Sequence, residues 1–149
     1  MRKILNQVEQ FHIAADQMVG DTRKPDVTVD VNLRLLLIEE EFNELKLALQ
    51  GKAKDGTLLT KNQQVVAVAD ALADLSYVTV GSAITWGIPL DAVVDEVHRS
   101  NMSKFTISGD GQITAIRNTD GKILKGPNYV PPDIHGVIKI FETSSSDEP

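Results

Sequence analysis

The chain has 149 residues, 42% apolar and 24% charged, with no cysteine and a formal net charge of −6. That is the size of one ordinary domain with a normal globular composition, which excludes wholesale disorder, disulfide scaffolds, thiolate metal sites and cysteine nucleophiles. The acid surplus argues against a protein that holds a nucleic acid polymer through its phosphates, and it favours cations as partners.

Met1-Arg2-Lys3 before a mixed polar and apolar run lacks the features of a signal peptide, so no export is indicated and a cytoplasmic location is expected. Residues 2–19 space Ile4, Leu5, Val8, Phe11, Ala15 and Met18 as on one face of a first helix. A linker with Pro25 follows, and Asp30 is placed to cap a second helix reaching about Leu49, ended by Gly51. After a polar turn over residues 51–60, residues 61–86 read as a long helix stopped by Gly87. Its apolar stretch carries Asp70 and Asp74, so a buried helix is expected there rather than a membrane span. Pro89 and Asp91 suit the first turn of a fourth helix ending near Ser103. Asp110-Gly111 and Asp120-Gly121 then favour tight turns, predicting one small β-hairpin or an ordered loop. Residues 127–132 are expected to be extended, residues 133–141 to form a short last helix and residues 144–149 to be a flexible tail. The fold class is all-α: a bundle of four to five helices with a short extended or hairpin appendage, forming a single domain over residues 1–143.

Acids stand where a core face is expected. On a helix, residues three and four apart share a side, so Glu40, Glu41 and Glu44 interrupt the stripe of Leu37, Leu45 and Ala48. A plain solvated face accounts for Glu39 and poorly for Glu41 and Glu44. Asp70 and Asp74 lie one turn apart on the third helix, and burying carboxylates without a cation or donors costs several kcal/mol each. Salt bridges from Arg34, Lys46 or Arg99 are the structural alternative, enough for one acid and hardly for four or five. Two helices packed through these faces make an oxygen-only pocket, suited to Mg²⁺ or Mn²⁺ rather than zinc.

Glu40-Glu41-x-x-Glu44, an acidic pair ending in Asp74, the block from Asp95 to Lys104, Asp120-Gly121-Lys122, Lys125-Gly126-Pro127 and Pro131-Pro132-Asp133 follow in order. Together they resemble the MazG-like, all-α nucleoside triphosphate pyrophosphohydrolase superfamily, which includes dimeric dUTPases and phosphoribosyl-ATP pyrophosphohydrolases. One departure stands out: Ala71 occupies the place where the superfamily commonly has Glu, with Asp70 one residue earlier and so turned by about 100°. The resemblance implies Mg²⁺-dependent hydrolysis of a nucleoside triphosphate to monophosphate and pyrophosphate, with Mn²⁺ an alternative ion. It assigns Glu41, Glu44 and Asp74 as main ligands, Glu40 as a further ligand, Asp70 as a ligand by substitution, and Glu41, with Glu40, as the group that orients or deprotonates water.

The resemblance also implies that Asn101 and Lys104 contact the nucleotide, with a helix C-cap as the plainer role for Asn101. Lys122 and Lys125 are expected to close over the polyphosphate, or to be solvated loop lysines. His12 is expected to line the nucleoside pocket or to be a hydrogen-bonded structural residue. Subunits of the superfamily pair to complete the four-helix core, so a homodimer or dimer of dimers is expected. A deoxynucleoside triphosphate such as dUTP or dCTP, or a modified one, is the preferred substrate, with a housekeeping role in the nucleotide pool. Two rivals stand beside this reading. A di-iron carboxylate bundle would use Glu9-x-x-His12, Asp95-x-x-His98, Glu40 and Glu44; a non-catalytic dimer would bind nucleotide or metal without turnover.

Overall fold

The structure, a computed structural model, describes residues 1–144; the tail expected at 144–149 therefore lies almost wholly outside the described residues. It is all-α, with α1 Arg2–Ala14, α2 Val31–Leu49, α3 Lys61–Thr85, α4 Leu90–Met102 and α5 Ile134–Thr143. The described residues add one antiparallel hairpin, β1 Thr106–Ile107 and β2 Ile113–Thr114. The chain divides into two compact units, Met1–Ile88 and Pro89–Pro149.

In the first unit α3 is the spine, and both α1 and α2 pack on it. Small residues permit close approach: Ala48, Ala71 and Ala83 are buried beside Val8 and Val80. A Cβ on Gly81 would lie 2.9 Å from His12 Nε2 and 3.5 Å from Arg34 Nη1, so α1, α2 and α3 meet at that level. Thr60 and Gln63 form a reciprocal capping box at the start of α3, which satisfies backbone donors that would otherwise lack partners. At its other end the linker is tied down by Gly20 N–H to Ile84 O (2.8 Å), Asp26 N–H to Trp86 O (3.0 Å) and Trp86 Nε1–H to Val29 O (2.8 Å).

Three sequence expectations change here. The first helix stops at Ala14, short of residue 19, because Asp16 turns to φ +53° and Gln17 N–H returns to His12 O at 2.8 Å. Asp30 occupies the N-cap of α2 in the left-handed region, φ +50°, and makes no side-chain cap bond. Only the C-terminal end of α3 is continuously buried, residues 80–83 and Thr85; Val65, Val66, Leu72, Asp70 and Asp74 are exposed in the single chain.

In the second unit α4 packs with α5. Glu96 ties the returning chain to α4: it accepts from Arg99 Nε and Nη2 (both 2.7 Å) and from Asp133 N–H (2.6 Å), while Arg99 Nη2 also reaches Pro131 O (3.1 Å). Asp133 then caps α5 by accepting from Gly136 N–H at 2.8 Å. Gly111 and Gly121 take positive φ, as the two Asp-Gly turns require, but only the first closes a strand pair; the second is held by an Arg117–Ile123 bridge.

Two outcomes follow. Gly87 has φ +64°, and a Cβ there would lie 2.4 Å from Asp21 O, so Gly87→Ala is expected to cost about 2–4 kcal/mol in chemical denaturation. The Arg99 guanidinium, then the Asp133 N–H, pull the Glu96 carboxyl down to about 2. Its stabilisation is therefore present above the ordinary glutamate range and lost as pH falls from there towards about 2. The protection factor of the Asp133 amide, its exchange relative to the intrinsic rate at each pH, should fall over that window in the wild type, whereas Glu96→Gln should show low protection at neutral pH already.

Candidate active site

The acid face forms as helical spacing dictates. Along α2, Arg34, Leu37, Ile38, Glu41, Glu44, Leu45, Leu47 and Ala48 are the buried or half-buried positions, so Glu41 and Glu44 are carried on the side that packs on α3. Glu39 and Glu40 are exposed. Glu41 Oε2 is buried with no hydrogen-bond partner. Burial, followed by the charges of Glu44, Asp74 and Glu40, raises the Glu41 carboxyl above its ordinary range, and Lys54 opposes that rise. Four acids of the sequence motif thus share one electrostatic environment.

Asp70 enters by a different route. A small cavity of about 60 Å³ is lined by Glu44, Asp70, Lys52 and Lys54 with Ala48, Ala67, Ala53 and Ala71, room enough for water-sized occupants. Ala71 is itself 4% exposed and belongs to the core, so α3 presents no carboxylate at that position.

Two of the three cations expected to neutralise these acids, Arg34 and Arg99, are engaged elsewhere. Arg34 is 2% exposed and donates from Nη2 to Gln17 Oε1 at 3.3 Å, leaving its buried Nε without a partner. Arg99 pairs with Glu96. A cation that does meet the cluster is Lys54, whose ammonium pairs with Glu44. It comes from the turn between α2 and α3, where the sequence shows only a polar, lysine-rich stretch with no periodicity to aim a side chain.

A divalent ion fits this donor set by its chemistry. The acids offer oxygen alone, one buried carboxylate oxygen lacks any donor, and like charges raise the cost of the metal-free state. As they stand, no three His, Asp or Glu side chains converge tightly enough to hold an ion among the described residues.

His12 is 2% exposed and its Nδ1 lies 3.0 Å from Met18 O, an anchor for the chain leaving α1. Glu9 and His98, which the di-iron alternative needs, are exposed. Phe11 meets Tyr77 edge to face at 5.8 Å, joining α1 to α3. In the second unit Asn101, in the last turn of α4, accepts at Oδ1 from Nζ of Lys104, which lies in the turn just beyond the helix, at 2.6 Å. Lys125 Nζ stands 4.6 Å from the Tyr129 ring centre, and Lys122 N–H donates to Asn118 Oδ1 at 2.8 Å.

No curated protein matches the chain. Residues 8–101, well over half of it, match the family model described as phosphoribosyl-ATP pyrophosphohydrolase, a span that takes in α2, α3 and every acid of the cluster. The chain belongs to this family of pyrophosphohydrolases, hydrolases acting on acid anhydrides within the MazG-like all-α superfamily.

Proposed function

We propose that the protein hydrolyses a nucleoside triphosphate to its monophosphate and pyrophosphate at the acid cluster of α2 and α3, using Mg²⁺ or Mn²⁺. The observation that carries this reading is the buried, partnerless Glu41 Oε2 among like charges. Glu41, Glu44 and Asp74 would be the main ligands, with Glu40 and Asp70 completing the set. Bound there, the ion would neutralise carboxylates and phosphate oxygens and acidify water.

The residues supply the rest. Glu41, whose carboxyl burial and the neighbouring acids raise above its ordinary range, is the group proposed to accept a proton. It takes the proton of the attacking water as the new oxygen–phosphorus bond forms and the phosphoanhydride bond breaks, pyrophosphate leaving with the bridging oxygen. Asn101 and Lys104 would contact the nucleotide, with Lys122 and Lys125 on the polyphosphate and His12 holding the wall of the nucleoside pocket.

A deoxynucleotide such as dUTP or dCTP is the preferred substrate, in nucleotide-pool housekeeping. The family description favours phosphoribosyl-ATP as a second reading. Against a simple transfer, the family match ends at Asn101, and Lys104, Lys122 and Lys125 lie beyond it. A homodimer is the proposed assembly, in the cytoplasm: Leu36 and Phe42 on α2 and Val65 and Val66 on α3 are exposed large apolar groups that a second copy would cover. By length and composition α3 would also pass as a membrane span, but it carries Asp70 and Asp74 and packs on two helices of its unit.

A panel of nucleoside triphosphates and phosphoribosyl-ATP, assayed for pyrophosphate and monophosphate with Mg²⁺, Mn²⁺ or chelator, tests the reading. Pyrophosphate release abolished by chelator is expected; nucleotide and metal binding with no product would establish the non-catalytic dimer instead. Glu41→Gln and Asp74→Asn are each expected to lower kcat by about a hundredfold or more while the protein stays folded. Relief of like-charge repulsion should raise the melting temperature of metal-free Glu41→Gln by about 2–4 °C at pH 7. Full activity in both variants would remove the site.

A further inference from the structure

The turn between α2 and α3 delivers a positive charge to the acid cluster. Lys54 pairs with Glu44 although its own side chain is 75% exposed and that of Glu44 only 17%. Its backbone is well fixed: Ala53 N–H donates to Thr57 O and Gly56 N–H to Ala53 O (both 2.9 Å), and Lys52 bridges to Leu58. Asp55 further closes the turn by accepting from Thr57 N–H (3.0 Å) and Thr57 Oγ1 (2.7 Å). The stem of Lys54 is thus planted at the rim of the cavity lined by Glu44 and Asp70, and the ammonium can leave by side-chain rotation alone.

An ion pair on a flexible, mostly exposed stem is weak and readily exchanged. A divalent ion offers Glu44 twice the charge, and an ammonium held on the same carboxylate would repel it. Ion and ammonium therefore compete for Glu44, and the loser remains tethered at the place where a polyphosphate must arrive. We propose that Lys54 is a tethered counter-cation of the site: it holds Glu44 until a divalent ion takes that carboxylate, then turns to the phosphates of the substrate. This rests on the reading of Glu44 as a metal ligand.

Calorimetric titration of Mn²⁺ into the full chain without nucleotide separates the two ideas, using wild type, Lys54→Gln, Lys54→Arg and Glu44→Gln. Lys54→Gln is expected to bind Mn²⁺ about two- to tenfold more tightly, and Lys54→Arg to stay within about twofold of wild type. Glu44→Gln should bind at least about tenfold more weakly. At saturating Mn²⁺, Lys54→Gln should raise KM for the fastest triphosphate of the panel about three- to tenfold while kcat stays within about twofold. Opposite effects on metal and substrate are a signature that a merely structural lysine does not give. Unchanged or weaker Mn²⁺ binding by Lys54→Gln, with Glu44→Gln still impaired, overturns the proposal alone. Wild-type binding by Glu44→Gln overturns the metal reading beneath it. Tighter Mn²⁺ binding with an unchanged KM overturns the phosphate role.

Discussion

The cost of placing carboxylates on the packing side of a helix governs this protein. Glu41 and Glu44 sit where α2 would otherwise offer leucine or alanine to α3, and Glu41 has a buried oxygen that nothing in the described structure satisfies. A stability-optimised helix pair would not keep that arrangement, since apolar replacement of buried charge is commonly neutral or stabilising. The arrangement makes sense as the binding energy of a cation held in reserve, which is the reading proposed for it.

The surrounding fold serves to hold those acids in register. Ala48 and Ala71 let α2 and α3 approach, the capping box at Thr60 fixes where α3 starts, and the linker laced to Ile84 and Trp86 fixes where it ends. His12 and Arg34 converge on Gly81, locking α1 and α2 to the spine at a level where no larger residue fits. In the second unit, Glu96 and Arg99 spend their charges on positioning the chain that leads into α5.

Much of this was readable from the sequence, because helical periodicity and Gly or Pro punctuation act locally. The start of α3, the limits of α4 and the hairpin at Asp110-Gly111 follow from such signals. What the sequence obscured depends on contacts made over distance. The apolar pattern of α1 runs on past Ala14, but the carbonyl of Met18, four residues after the break, is recruited by His12, which no local propensity announces. The apolar composition of α3 suggests burial throughout, yet one chain supplies continuous cover only near its C-terminal end. Lys54 lies in an aperiodic turn, so its meeting with Glu44 becomes visible only once α2 and α3 are set side by side.

The central claim is that the acids of α2 and α3 form a divalent-metal site, and anomalous diffraction from crystals grown with Mn²⁺ tests it most directly. The account predicts a peak bounded by carboxylate oxygens of Glu41, Glu44 and Asp74, absent from crystals of Glu41→Gln. Mn²⁺ peaks found only elsewhere on the molecule, at an ion concentration that saturates activity, would contradict it.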